Sequence, residues 1–315
     1  NAKDKSGEAF EQIKQYERDI PRLFLSNCFN IVTDGTNCLY GATGSPSKFY
    51  GSWGDPWPRK EADFADALSK GLWSLLEPSR LLDLIAHFIA FEKTDSGSVK
   101  KLCRYHQFRA VNKLVERVTE GEHRKGLIWH TQGSGKSLTM VFAAYKLRRQ
   151  LTLKNPTVLI VVDRRDLKTQ ISDDFDACDY PNVEKALGVD DLKTKLRNLW
   201  RGTLVTTVQS FQRMNDLAPL ADDNIIMLVD EAHRSQKGDT AESYAMTMRV
   251  KLPNAFRFGL TGTPIDRTMT NTHRDFGPVV DGQQERYLSY YGIKRAIKDG
   301  ATLEVHYQRD RVPFI

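Results

Sequence analysis

Five short apolar runs after Gly126 set the tightest limit on what this chain can fold into. They cover residues 127–129, 158–162, 204–208, 225–229 and 256–260, with helical stretches between them. Runs this continuous and rich in β-branched residues indicate strands buried on both faces, as in a parallel sheet covered by helices. Their alternation with helical segments indicates βαβ units. The sequence therefore predicts an α/β fold over roughly residues 104–281.

The first run leads into Gly133-Ser134-Gly135-Lys136-Ser137. This segment opens an amphipathic helix that carries Leu138, Val141, Phe142 and Tyr145 on one side. Strand, Gly-rich turn and helix in that order are the context that a phosphate-binding loop requires. Gly133 and Gly135 let backbone N–H groups around Ser134 converge on phosphate oxygens, and the helix N-terminus adds a favourable dipole. Lys136 would reach the β- and γ-phosphates and Ser137 would ligand Mg²⁺, so ATP with Mg²⁺ is the expected cofactor. The usual first glycine of the motif is replaced by His130.

Two further strand ends carry chemistry. Asp230-Glu231-Ala232-His233 closes the fourth run. A carboxylate at Asp230 can hold Mg²⁺, and Glu231 can orient and deprotonate the attacking water. Thr261-Gly262-Thr263-Pro264 closes the fifth run. Alone it is a turn, but ligands gather beyond the C-terminal ends of parallel strands, which places its hydroxyls at the same edge.

The remaining features bound the protein class. The 315 residues carry 46 Lys plus Arg against 40 Asp plus Glu, a formal charge of +6 that leans mildly toward polyanionic partners. The four cysteines, Cys28, Cys38, Cys103 and Cys178, include no Cys-x-x-Cys spacing, so neither a zinc site nor a redox pair is suggested. The longest apolar stretch, residues 81–91, is too short for a bilayer, no signal peptide is visible, and the start at Asn1 suggests that the natural N-terminus lies elsewhere. Reduced cysteines in a cytoplasmic protein without a membrane partner are expected. Residues 7–18 read as a helix, 29–33 and 38–40 as strands around an Asp34-Gly35 turn, and 44–58 as a loop. Residues 60–120 read as helical, with Leu81, Leu84, Ile85, Phe88 and Ile89 forming one apolar stripe.

Gly-Ser-Gly-Lys-Ser, Asp-Glu-Ala-His and Thr-Gly-Thr-Pro, in that order, resemble motifs I, II and III of superfamily 2 helicases, whose motor domains are RecA-like. Tyr105-His106-Gln107 resembles the motif whose glutamine reads adenine, residues 162–167 resemble motif Ia, and residues 206–211 resemble motif Ib. Together these cover roughly residues 104–267. The wording of residues 104–107, 129–137, 163–167 and 230–235 is more specific and resembles the R subunits of type I restriction enzymes. Gln12 and Tyr16 are similar to a Gln-x-x-x-Tyr motif that follows the nuclease core of those subunits, and at i and i+4 they share a helix face.

The resemblance implies an ATP-dependent motor that moves double-stranded DNA, working with methylase and specificity subunits in a bacterial or archaeal cytoplasm. It implies that Gln107 lies near adenine and that His233, Thr261 and Thr263 couple ATP to DNA. It further implies that Thr206, Gln209, Arg164 and Arg165 touch the DNA backbone. The expected organisation is the end of an α/β nuclease domain over 1–58, a helical connector over 59–103, motor domain 1 over 104–281, and a passage toward a second motor domain over 282–315. No Pro-Asp or Glu-x-Lys is present. The cutting residues are therefore expected before Asn1 and the arginine fingers after Ile315, leaving this piece unable to cut DNA or to hydrolyse ATP efficiently by itself. Three other readings stay open: a strand-separating helicase or remodelling motor, a transporter ATPase (disfavoured by the lack of a Leu-Ser-Gly-Gly-Gln signature), and a non-catalytic module that binds ATP and DNA.

Overall fold

A computed structural model describes residues 2–94, 97–163, 165–177, 180, 182–214, 216–232, 247–264, 272–280 and 282–303. The strands are β1 (Phe29–Thr33), β2 (Cys38–Ala42), β3 (Gly51–Ser52), β4 (Ile89–Thr94), β5 (Gly97–Leu102), β6 (Lys125–His130), β7 (Thr157–Val162), β8 (Val183–Lys185), β9 (Thr203–Thr207), β10 (Ile225–Val229), β11 (Phe256–Thr261), β12 (Val279–Val280), β13 (Gln283–Gln284) and β14 (Ser289–Tyr291). The longer helices are α1 (Ala2–Asp19), α2 (Ala67–Leu76), α3 (Pro78–His87), α4 (Tyr105–Glu120), α5 (Lys136–Arg149), α6 (Arg165–Ala177) and α7 (Val189–Arg197), followed by a short α8 (Val208–Gln212).

Seven strands form the main sheet in the order β14-β6-β11-β10-β7-β9-β8, every pair parallel. This is the parallel α/β architecture expected from the apolar runs, and the RecA-like domain that the helicase resemblance implies. Period-2 alternation sends Ile128, Val158, Ile160, Leu228, Phe258 and Leu260 to one face, packed on α4, α5 and α6. Leu127, Leu159, Val161, Leu204, Met227 and Val229 go to the other, against α7, α8, Met248, Leu252 and Phe276. Both faces are dry, so truncating a buried anchor such as Phe142 or Phe258 would cost about 3–5 kcal/mol.

The structure departs from the sequence expectations in several places. Residues 60–120 are not helical throughout, because α3 ends at His87 and Ile89 opens the antiparallel hairpin β4–β5. Leu84 and Phe88 are buried as the stripe implied, but Ile85 faces solvent. Two edge strands, β8 and β14, were not legible, and Val208 begins α8 rather than ending a strand. Residues 289–291, within the segment expected to begin the passage toward a second motor domain, form β14 and complete the main sheet beside β6.

The N-terminal part packs on the same core. β1, β2 and β3 make an antiparallel sheet whose Asp34 carboxylate caps the turn by accepting from the Thr36 and Asn37 N–H groups. Tyr40 donates across the interface to the Cys103 carbonyl at 3.1 Å. Arg80 is buried with its guanidinium over the Trp53, Trp73 and Phe108 rings and donates to the Ser74 and Trp57 carbonyls, fastening α3 to α4. On α1, Gln12 and Tyr16 share an exposed face, the Gln12 amide donating to the Tyr16 hydroxyl at 3.0 Å.

Candidate functional site

The motifs that follow strands sit at one rim because their strands are neighbours. β6, β11, β10, β7 and β9 stand side by side at about 4.8 Å spacing. Their C-terminal ends deliver in turn the Gly133–Ser137 loop, Thr261–Thr263, Asp230–Glu231, Asp163 and the α8 segment holding Gln209.

The loop is shaped by Gly133 (φ +80°) and Gly135 (φ +78°), whose left-handed backbone strongly favours glycine. Gly135 is the N-cap of α5, so the free N–H groups of the first turn open toward the loop. Three outside supports hold it. The Thr131 N–H donates to the Tyr291 carbonyl of β14 at 2.9 Å. The Trp129 indole donates to the Gly262 carbonyl at 2.9 Å. His106 lies 3.0 Å from the Ser134 carbonyl through Nε2. His106 is buried, which lowers its pKa to about 4, so the ring is neutral and donates that N–H. Ser134 turns inward and donates its hydroxyl to the Thr131 carbonyl at 2.6 Å, so it shapes the loop rather than facing a ligand.

Gln107 stands at the start of α4 beside the phosphate loop. It is buried, its Oε1 accepts the Arg104 N–H at 2.8 Å, and its Nε2 donates to the Gly135 carbonyl at 3.0 Å. In the ligand-free chain its amide caps α4 and braces the phosphate loop. His130, in place of the first glycine, is fully buried between His106 and Tyr291, and burial holds its pKa well below the usual range. It fills space behind the loop.

Lys136 and the acidic pair face each other. The Lys136 ammonium lies 3.9 Å from a Glu231 carboxylate oxygen. Glu231 adopts φ +46°, a left-handed conformation uncommon outside glycine. It is framed by two ladder-like bonds, Asp230 N–H to the Val161 carbonyl at 2.9 Å and Ala232 N–H to the Leu260 carbonyl at 3.1 Å. Strain kept in place by a rigid frame is a common property of functional positions. Asp230 is 4% exposed. Burial first and the Glu231 charge second push its pKa up to about 6, against the opposing pull of Lys136. A buried carboxylate in a site that disfavours its charge is suited to receiving a cation. Ser137, half-buried on the first turn of α5, makes no side-chain hydrogen bond among the described residues. The donor set of a hydroxyl, a carboxylate and open loop N–H groups thus fits Mg²⁺ with a nucleotide phosphate. Ser137 and Asp230 would hold the metal.

The other sequence candidates divide. Thr261 is fully buried, and its Oγ1 accepts the Thr263 N–H at 3.1 Å, fixing the turn beside the loop. A Cβ at Gly262 would stand 3.2 Å from the Gln132 nitrogen and 3.4 Å from the Lys136 ammonium, so this turn and the loop are in contact. Gln209 is exposed at the rim and donates to the Asp163 carbonyl at 3.1 Å. Thr206 is fully buried in β9 with its hydroxyl unpartnered among the described residues, so its side chain cannot reach DNA in this arrangement. Both faces of an inner strand are covered, and nothing in a Thr-Thr-Val run distinguishes which position leaves the sheet. His233, Arg164 and the Arg165 side chain lie outside the described residues. His106 and Tyr291 were missed as supports. His106 was legible only as part of Tyr-His-Gln, and Tyr291 gave no signal.

A parallel sheet with a phosphate loop, an acidic pair and a hydroxyl turn on consecutive strand ends defines a P-loop nucleotide-binding domain. Residues 106–313 match the SWI2/SNF2 ATPase family model, and the chain belongs to that family. Over 96% of its length it is 35% identical to a Haemophilus influenzae protein named type I restriction enzyme HindI endonuclease subunit, covering 30% of that protein. It is 32% identical over 94% of its length to the putative type I restriction enzyme MjaVIIIP endonuclease subunit of Methanocaldococcus jannaschii, covering 31% of it. The chain thus spans about three-tenths of the length of these relatives. Among the described residues no helix is long and apolar enough to cross a membrane.

Proposed function

We propose that this chain is the first motor lobe of a type I restriction endonuclease subunit, which binds ATP with Mg²⁺ and uses its hydrolysis to move double-stranded DNA. The opposition of Lys136 to the Asp230–Glu231 pair across the loop carries the reading. Lys136 neutralises phosphate charge at the β and γ positions, and the loop N–H groups orient the chain of phosphates. Ser137 and Asp230 would hold Mg²⁺, which would supply positive charge against the negative charge that grows as the terminal phosphate bond breaks. Glu231 aligns the attacking water and accepts its proton, and its framed backbone keeps that carboxylate aimed at the loop. Thr261 and Thr263, in contact with the loop through Gly262, and His233 after the acidic pair relay the state of the phosphates toward the rim. Gln209 at that rim meets the DNA backbone, with Arg164 and Arg165 on the adjoining segment, so binding is insensitive to base sequence.

Residues 1–58, with Gln12 and Tyr16, close the nuclease domain. Methylase and specificity subunits supply site recognition. The similarity of almost the whole chain to restriction endonuclease subunits favours this reading over a strand-separating helicase.

The test is DNA-stimulated ATP turnover and displacement of a triplex-forming strand by the full-length subunit in its complex. Glu231→Gln should retain ATP binding and lose turnover by about 10²-fold or more. A variant that turns over at the wild-type rate would remove Glu231 from the role, and turnover without triplex displacement would remove translocation.

A further inference from the structure

The opposite end of the sheet carries a second concentration of charge, which the nucleotide site does not use. β6 begins at Lys125 and β11 begins beside Arg257, and these two residues are paired in the parallel register. Around them an open cleft of about 430 Å³ is lined by His123, Arg124, Lys125, Arg257 and Arg274, with Glu122 as its one lining carboxylate among the described residues. Arg249 stands close enough to act on both Lys125 and Arg257.

The anions nearby are already engaged. Asp275 is 2.9 Å from Arg249 and 3.7 Å from Arg274. Glu285 is held by Arg117 at 2.6 Å. Arg257 is only 9% exposed, yet among the described residues its guanidinium has no carboxylate within 4 Å, and its Nε is buried without a hydrogen-bond partner. Lys125 donates to the Arg274 carbonyl at 3.3 Å and likewise has no carboxylate partner among the described residues. Burial first, and then the neighbouring arginines, lower the pKa of both groups against the smaller opposing pull of Asp275. A nine-tenths buried guanidinium among like charges is costly unless something anionic completes it.

We propose that this cleft is a second DNA contact, at the pole opposite the phosphate loop, where Arg257 and Lys125 bind phosphodiester oxygens of the duplex backbone. The cations come from two adjacent strand starts and from the helix Thr272–Phe276, so the charge is spread over three elements rather than carried by one. Several cations suit a repeating polyanion, whose binding releases several counterions at once, better than a single carboxylate. The Arg257 fork matches a phosphate's paired oxygens. The choice of DNA as the polyanion rests on the motor reading above, whereas the site itself rests on the geometry.

The experiment is fluorescence anisotropy of the 315-residue chain with a labelled 25-base-pair duplex (the length is about 25, chosen to exceed two helical turns) over a range of KCl. Wild type is compared with Arg257→Gln and Lys125→Gln, and binding of a fluorescent ATP analogue reports an intact fold. Each variant should bind the duplex about three- to tenfold more weakly and lose about 1 from the salt slope, with analogue affinity unchanged. Wild-type affinity and slope in both variants would remove this site while leaving DNA binding intact. Failure of the wild type to bind any duplex would overturn the DNA reading as well. Competition by poly-glutamate as strong as by unlabelled duplex would assign the cleft to an acidic protein surface instead. Competition by inorganic phosphate alone would assign it to a free anion.

Discussion

Gln107 separates two accounts of how the nucleotide site is built, and its truncation can be worked through from the structure. Its Oε1 caps α4 through the Arg104 N–H and its Nε2 braces the Gly135 carbonyl. Gln107→Ala removes a capping interaction of about 1 kcal/mol and a neutral hydrogen bond of about 1 kcal/mol. The Gly135 carbonyl keeps two other donors, the Thr139 N–H and hydroxyl, both at 3.0 Å, so the loop loosens without collapsing. Together these give a loss of about 2 kcal/mol, or a fall in melting temperature of roughly 4–8 °C for a domain of this size. Because the loop rather than a base pocket is affected, affinity for ATP and GTP analogues should fall by the same factor. Gln107→Glu divides the two terms, since the carboxylate still caps α4 but can no longer donate to Gly135. It should restore at most about half of the lost melting temperature and leave nucleotide binding weak. Melting curves and analogue titrations on the three proteins decide the matter. An unchanged melting temperature with selective loss of ATP over GTP would refute this argument and return Gln107 to the adenine.

Asp230→Asn should have opposite effects on stability and on function. In the folded chain the Asp230 pKa is raised to about 6 from 3.8, so the folded state disfavours the charged form. Stability is lost as pH rises from about 4 to about 6, and the full penalty, about 3 kcal/mol, is present above that. The ligand-free variant should therefore melt higher than wild type at pH 7.5, match it near pH 3.5, and bind Mg²⁺–ATP much less well. An equal melting temperature at pH 7.5 would deny the burial penalty. Gly262→Ala would place a methyl 3.2 Å from the Gln132 nitrogen and 3.4 Å from the Lys136 ammonium. A local misfit of about 1 kcal/mol should weaken analogue binding about fivefold, and unchanged binding in a titration would show that the turn does not press on the loop.

The five inner strands were legible because burial on both faces leaves a run of β-branched residues with no alternation to misread. β10, Ile-Ile-Met-Leu-Val, is the clearest case. The same property hid detail, since a doubly covered strand gives no sign that Thr206 is sealed in. The edge strands failed for the opposite reason. β8 and β14 have three residues each and a mixed burial pattern, so their pairing is decided by a neighbour distant in sequence. The apolar stripe through Ile89 continued on paper because helical period and a short strand share the first few positions. Only tertiary packing of Phe88 and Ala90 tells them apart. In the site, the motif residues could be read because phosphate chemistry prescribes their types and spacing. The scaffold behind them, His106 under the Ser134 carbonyl and Tyr291 under Thr131, obeys no such rule.

The central claim is that the Gly133–Ser137 loop binds ATP with Mg²⁺ through Lys136. Equilibrium titration of a fluorescent ATP analogue into the chain, with Mg²⁺ and with excess chelator, tests it most directly. Saturable, Mg²⁺-dependent binding by wild type and its loss in Lys136→Ala, with the melting temperature of the ligand-free protein kept, is the predicted result. Equal affinity in the two proteins would contradict it and place the nucleotide elsewhere.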